Sequence, residues 1–136
     1  MLSDTEVVLI RQFRHSAGKI MWEIPAGTFE PGEEPLACAE RELVEETGYR
    51  AAMMKPLGGF YTSPGFCDEF IHLFVATGLQ PCASGAQKAD SDEQINVNTV
   101  AMSEALRKIE SGEIVDGKTI VGLMRVSSVL RGGGTT

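Results

Sequence analysis

Long apolar runs, paired cysteines and an excess of basic residues are all missing from this 136-residue chain. No stretch approaches the ~20 apolar residues that a membrane-spanning helix needs, so a membrane partner is not expected. The start of the chain lacks the basic and apolar regions of a secretory signal, which makes the cytoplasm the expected compartment. Lys and Arg number 12 against 19 Asp and Glu, for a formal net charge of -7. A nucleic-acid binder normally presents a basic face to phosphates, so no nucleic-acid partner is expected either. Cys38, Cys67 and Cys82 are too widely spaced for a metal-ligand pattern and read as free thiols, with Cys38 packed on a helix.

The chain is long enough to bury a core without disulfide or metal staples, and residues 1–131 read as one domain followed by a flexible tail, 132–136. Val7 to Phe13 and Lys19 to Ile24 flank "RHSAG" and read as two strands joined by a turn. Pro35 to Thr47 reads as a helix, with Pro35 in its first turn and Gly48 at its C-terminal cap. Shorter strands are expected at Ala51–Leu57 and Gly59–Thr62. Phe70 to Ala76, apolar on both sides of its alternation apart from His72, reads as a strand covered by helices on both faces. Leu79 to Glu93 reads as a functional loop and "INVNTVAM" as a strand. Ser103 is the expected cap of a helix through Ile109, and a last helix is expected from Lys118 to Leu130.

What the chain has in abundance is carboxylate. Between Gly27 and Tyr49 lie seven: Glu30, Glu33, Glu34, Glu40, Glu42, Glu45 and Glu46. On a helix, Leu36, Ala39 and Leu43 form an apolar stripe, while Glu42, Glu45 and Glu46 gather beside it. Like charges one turn apart oppose the helix, and a bound cation reverses that. Carboxylate oxygens are hard ligands that suit Mg²⁺ or Mn²⁺, and Mg²⁺ is commonly shared with substrate phosphates, which implies a pyrophosphate ester. Arg41 is placed to bridge Glu45 and Glu33. The competing reading is a glutamate-rich face that is merely solvated.

The spacing decides between these readings. Gly27, Glu33, Arg41-Glu42-Leu43, Glu45-Glu46, Gly48 and the hydrophobe Tyr49 occupy nine specified positions in 23 residues. This resembles the box of the Nudix hydrolases. The resemblance implies an α/β (α+β) fold, a mixed β-sheet sandwiched between helices, and metal-dependent hydrolysis of a nucleoside diphosphate joined to another group. It also implies that Glu42 and Glu46 are metal ligands, that Glu45 is a ligand or close partner with a catalytic role, and that the carbonyl of Ala26 is a further ligand. Gly27, Glu33, Arg41 and Gly48 are then structural positions of the box.

"RQFR", "WEIPAG", "EETGY", "SPGFCDE" and "GEIVDGKT" are similar to the ADP-ribose pyrophosphatase branch, and Pro64 sits where that branch carries a marker proline. By similarity Arg14 contacts substrate, Trp22 stacks on adenine and Glu69 approaches the terminal ribose. The residue-level alternatives are a core aromatic for Trp22 and a surface strand position for Arg14.

Two departures stand out. Relatives carry Glu-x-Glu-x-Ile where this chain has "SDEQI", so Ser91 replaces the first glutamate while Glu93 keeps the second, a metal-proximal position. Asp92 or Glu93 then stands in as base, or a metal-bound water acts with little help. Only six residues precede Val7, so a strand beside Val7 to Phe13 is expected to be missing, with a homodimer covering the exposed edge. The expected reaction is ADP-ribose to AMP and ribose 5-phosphate. The alternatives are another substrate of the same chemistry, a nucleotide sugar or dinucleoside polyphosphate, or a sensor that binds ADP-ribose without cutting it.

Overall fold

In the computed structural model, which describes residues 1–3, 5–83 and 94–132, four consecutive apolar residues, Val7 to Ile10, are all buried. They lie on β1 (Glu6–Arg14), where successive side chains point to opposite faces. Val7 and Leu9 join Val100, Met102, Ala105, Ile114 and Leu123 in one core cluster. Val8 joins Leu43 and Leu79 in a second. A strand buried on both faces is the centre of a layered fold.

β1 is flanked on one side by β2 (Lys19–Glu23) and on the other by β5 (Asn96–Ala101), both antiparallel. The turn between β1 and β2 closes through the Gly18 amide, which donates to the Arg14 carbonyl at 2.8 Å with Gly18 at φ +66°. A second sheet pairs β3 (Tyr49–Tyr61) with β4 (Phe70–Pro81), also antiparallel. Helix α1 (Pro35–Thr47) precedes β3; α2 (Met102–Glu110) and α3 (Gly117–Gly132) follow β5 and pack on the first core cluster. No helix among the described residues is long and apolar enough to cross a membrane.

Several expectations need correction. β1 is not an exposed edge, because β5 pairs along Glu6–Arg11 and β2 along Ile10–Arg14. The strand covered on both faces is β1 rather than β4: β4 lies against β3, and Phe70 and His72 on one of its faces are exposed while Leu73 on the other is buried. The two short strands expected before it are one long strand with a register shift between Pro56 and Gly59. Gly58, at φ +80°, makes the kink, and Arg125 of α3 donates to the carbonyls of Leu57 at 2.8 Å and Gly59 at 3.2 Å. Ser103 lies inside α2, whose N-cap is Ala101 with no side-chain cap. On α1 the buried line is Cys38, Leu43 and Thr47, and Leu36 in the first turn is 42% exposed. Residues 84–93 and the tail from 133 onward lie outside the described residues.

The two leucines separate a core position from a surface one. Leu9→Ala should cost about 3 kcal/mol in urea unfolding, through lost burial and a residual cavity. Leu36→Ala should stay within about 0.5 kcal/mol. Equal losses would contradict the burial pattern.

Candidate metal and diphosphate site

α1 is entered through Pro35, whose missing N–H costs nothing in a first turn, and is closed by Gly48 at φ +76°, whose amide donates to the Val44 carbonyl at 2.9 Å. Between these ends Arg41 organises its neighbours. Nε and Nη2 donate to the two oxygens of Glu33 at 2.9 and 3.0 Å, a bidentate pair. Nη1 donates to Glu42 at 2.7 Å and to Glu45 at 3.0 Å, and Nη2 also reaches the Thr28 carbonyl at 3.1 Å. One guanidinium thus holds three carboxylates and ties the helix to the loop before it. These bonds drive the Glu33 carboxyl down to about 2 and raise Arg41 above its ordinary value. Burial, reinforced by Glu33, pushes the Cys38 thiol up to about 11, so it stays protonated and unreactive.

Glu46 is in a different position. Its Oε2 accepts from the Ala26 amide at 2.9 Å, and among the described residues no cation forms an ion pair with it. Burial raises its carboxyl to about 7; the Ala26 N–H opposes this, Glu42 adds to it, Arg14 lowers it through space, and Glu23 adds to it again. Glu42 presses on the next residue: a Cβ added to Gly27 would fall 1.9 Å from Glu42 Oε1. A side chain there would displace the Glu42 carboxylate from its present position. The Ala26–Gly27 backbone lies between Glu46 and Glu42.

These residues fit a hard divalent cation. The donors are carboxylate and carbonyl oxygens, and Glu46 is a desolvated carboxylate beside another acid, whose charged form a cation would stabilise. Among the described residues no group of three or more His, Cys, Asp or Glu is gathered tightly enough to form a complete site. Arg41 draws Glu42 toward Glu33 and Glu45. Ser91, Asp92 and Glu93 lie outside the described residues.

The remaining candidates have partners of their own. Arg14 is bound bidentately to Glu23, Nε at 2.7 Å and Nη2 at 2.8 Å. Trp22 packs against the core; its Nε1 donates to Glu113 at 3.1 Å, and Arg11 and Lys108 each lie 5.0 Å from its ring centroid. An adenine would compete with those two cations for the ring. Glu69 accepts from the Thr62 hydroxyl at 2.7 Å, and Pro64 lies exposed in the turn between β3 and β4. No hydrogen bond or ion pair among the described residues joins either to the carboxylates of α1.

Sequence reasoning missed Glu23. It is 1% exposed, accepts from Arg14 and from Lys118 Nζ at 2.5 Å, and ends β2 three residues before Ala26. Burial would raise its carboxyl, but the two cations together outweigh that and lower it. A signal existed in "GEIVDGKT": Asp116 stands three residues before Thr119 and accepts from its amide at 3.1 Å, a helix-start pattern.

The carboxylate-rich helix, with Glu46 on the Ala26 amide and Glu42 against Gly27, is the candidate site. Residues 1–120 match the NUDIX domain, and the chain belongs to the Nudix family. It is 43% identical over 116 residues to an ADP-ribose pyrophosphatase of Bacillus subtilis (strain 168), covering 85% of this chain and 62% of that protein. It is 36% identical over 134 residues to the ADP-ribose pyrophosphatase of Mycobacterium tuberculosis, covering 97% of this chain and 64% of the relative. A GDP-mannose pyrophosphatase of Citrobacter koseri is 38% identical over 122 residues, 85% of this chain and 63% of that protein. The chain thus spans somewhat less than two thirds of the length of these relatives. A crystal structure of an ADP compounds hydrolase superposes with a TM-score of 0.85 at 22% identity, over 99% of this chain and 71% of that one, and has the same fold.

The buried Glu23 sets an acid limit on stability. Its lowered carboxyl contributes stability that is complete above the ordinary value of 4.5 and is lost as pH falls through the folded value. Glu23→Gln, which leaves Arg14 and Lys118 uncompensated, should cost about 3 kcal/mol near neutral pH. The difference from the parent should shrink on acidification below 4.5 in urea unfolding at a series of pH values. A gap that widens in acid would show that Glu23 is not held as a carboxylate.

Proposed function

We propose that this chain is a divalent-metal-dependent pyrophosphohydrolase that cleaves the diphosphate of ADP-ribose to AMP and ribose 5-phosphate. The observation that carries the reading is Glu46: a half-buried acid anchored to the Ala26 amide, beside Glu42, with its carboxyl raised to about 7. The names of two relatives, both ADP-ribose pyrophosphatases, support the substrate.

Glu42, Glu46 and the Ala26 carbonyl would hold Mg²⁺ or Mn²⁺, with Glu93 added by its resemblance to a metal-proximal position. A cation held there would supply positive charge for the diphosphate and would make an attacking water more acidic. Arg41 keeps Glu33, Glu42 and Glu45 in place, which fixes α1 against the Gly27 turn. Glu45, half-exposed and paired with Arg41, would have the catalytic role that the resemblance implies. Asp92 or Glu93 would take the proton from water in place of the glutamate that Ser91 replaces. Arg14, Trp22, Glu69 and Pro64 stay substrate-binding candidates on resemblance alone.

A second reading keeps the chemistry and changes the group beyond the diphosphate. The GDP-mannose pyrophosphatase relative favours a nucleotide sugar. We further propose cytoplasmic residence, which suits three free cysteines. A homodimer that covers the exposed Phe13 and Ile20 of the β1–β2 pair completes the proposal.

Incubation with ADP-ribose and Mg²⁺ should release AMP, faster than GDP-mannose releases GMP. Glu46→Gln should lower turnover by about 100-fold or more while the circular dichroism spectrum stays that of the parent. Binding of ADP-ribose without AMP would make the protein a sensor, and undiminished turnover in the variant would remove Glu46 from the site.

A further inference from the structure

The end of β2 is gripped by one short segment of the chain at three successive residues. Trp22 Nε1 donates to Glu113 at 3.1 Å, Lys118 Nζ donates to Glu23 at 2.5 Å, and the Ile24 amide donates to Thr119 Oγ1 at 2.8 Å. The grip closes on itself through Asp116. Its Oδ2 accepts from Lys118 Nζ at 3.0 Å, from Thr119 Oγ1 at 2.5 Å and from the Thr119 amide at 3.1 Å. Arg14 secures Glu23 from the β1 side. Thr119 is fully buried, and at Gly122, one turn on, an added Cβ would meet Ile24 Cδ1 at 3.1 Å.

This ring lies beside the candidate site without being part of it. Two residues beyond Ile24, across the conformationally restricted Pro25, comes Ala26, whose amide holds Glu46. With Ile24 tied to α3 and Pro25 fixing φ, little backbone freedom is left before Ala26. We propose that Asp116, Lys118 and Thr119, acting through Glu23 and Ile24, are positioning residues that hold the Ala26 backbone against Glu46. The proposal rests on the reading of Glu46 and Ala26 as cation ligands. It gives a physical role to "GEIVDGKT": the segment fixes a turn that lies far away in sequence, 95 residues from Thr119 to Ile24.

Thr119 offers the cleanest test, because valine keeps its shape and removes the acceptor, whereas serine keeps the hydroxyl. On the intact protein, calorimetric Mn²⁺ titration should give Thr119→Val a Kd raised about tenfold or more, as expected for loss of a group supporting metal ligands. Its Ala26 amide should lose protection from hydrogen exchange. Thr119→Ser should restore both. Leu79→Ala, which destabilises the other core cluster, should unfold more easily yet keep the parent Kd and Ala26 protection. If Thr119→Val does not fold, Lys118→Met is measured in its place with the same expectation. The clamp is overturned by parent-like Kd and protection in Thr119→Val, or by an equal weakening in Leu79→Ala. If the parent itself takes up no Mn²⁺, the metal reading fails, and Ala26 protection in Thr119→Val against Thr119→Ser still decides the clamp.

Discussion

The organising interaction of this molecule is the fork of Arg41 among acids. Two like charges a few ångströms apart near a protein surface repel by about 4 kcal/mol, and α1 and its approach place Glu33, Glu42 and Glu45 together. A guanidinium can meet them because its donors radiate in one plane. Arg41 uses Nε and Nη2 on Glu33, Nη1 on both Glu42 and Glu45, and Nη2 again on the Thr28 carbonyl. A lysine is a point charge on a flexible stem and could not bind at this spread of angles. Compensation is unequal, however, since the fork does not reach Glu46. Glu46 is left with a backbone amide as its hydrogen-bond donor among the described residues. The helix is thereby stable as a protein element, yet keeps one carboxylate whose charged form is poorly satisfied.

The features written as local pattern were legible. Pro35 and Gly48 mark the two ends of α1 by their backbone chemistry alone, and the helix has the bounds they indicate. β1 and β2 follow from their β-branched residues around a glycine turn. The family membership rests on glutamates at fixed spacing, which is also local. Ser103 misled because a hydroxyl near a helix start resembles a cap, while the chain enters α2 straight from β5 through Ala101. His72 and its neighbours misled for another reason. Apolar residues on both sides of the alternation suggest two covered faces, but Phe70 and His72 gather with Tyr61 and Phe29 in edge-on and tilted ring contacts on an exposed face.

What was not legible is pairing across the chain. The place of β1 depends on β5, which meets Glu6 to Arg11 only after the whole hairpin of β3 and β4 has intervened. Counting the residues before Val7 suggested a missing neighbour, because local reading cannot see a distant strand returning. Glu23 is the sharper case. A glutamate at the end of "KIMWE" looks like the exposed end of a strand, and its burial is made tolerable by Arg14 across the hairpin together with Lys118, 95 residues later. The candidate site divides along the same line: Glu33, Arg41, Glu42, Glu45 and Glu46 share one segment, whereas Arg14, Trp22 and Glu69 depend on contacts that spacing does not encode.

The buried polar ring around Thr119 raises the question of why the exit of β2 is not simply packed with hydrocarbon. Replacing a buried ionic group by apolar residues of similar volume is often neutral or stabilising, so stability alone does not account for Glu23, Lys118 and Asp116. Apolar packing is non-directional and tolerates small slips of one element past another. A hydrogen bond weakens steeply as its angle departs from linear, so a closed ring of them fixes orientation as well as distance. Directional control matters most where a backbone amide must meet a carboxylate oxygen at 2.9 Å on one side of a turn while a glycine admits another carboxylate on the other. The low dielectric that makes the ring costly also makes any half-satisfied arrangement of it worse. Asp116, Lys118, Thr119 and Glu23 therefore act together, so that the position of Ala26 is held by the whole set and lost with any one member.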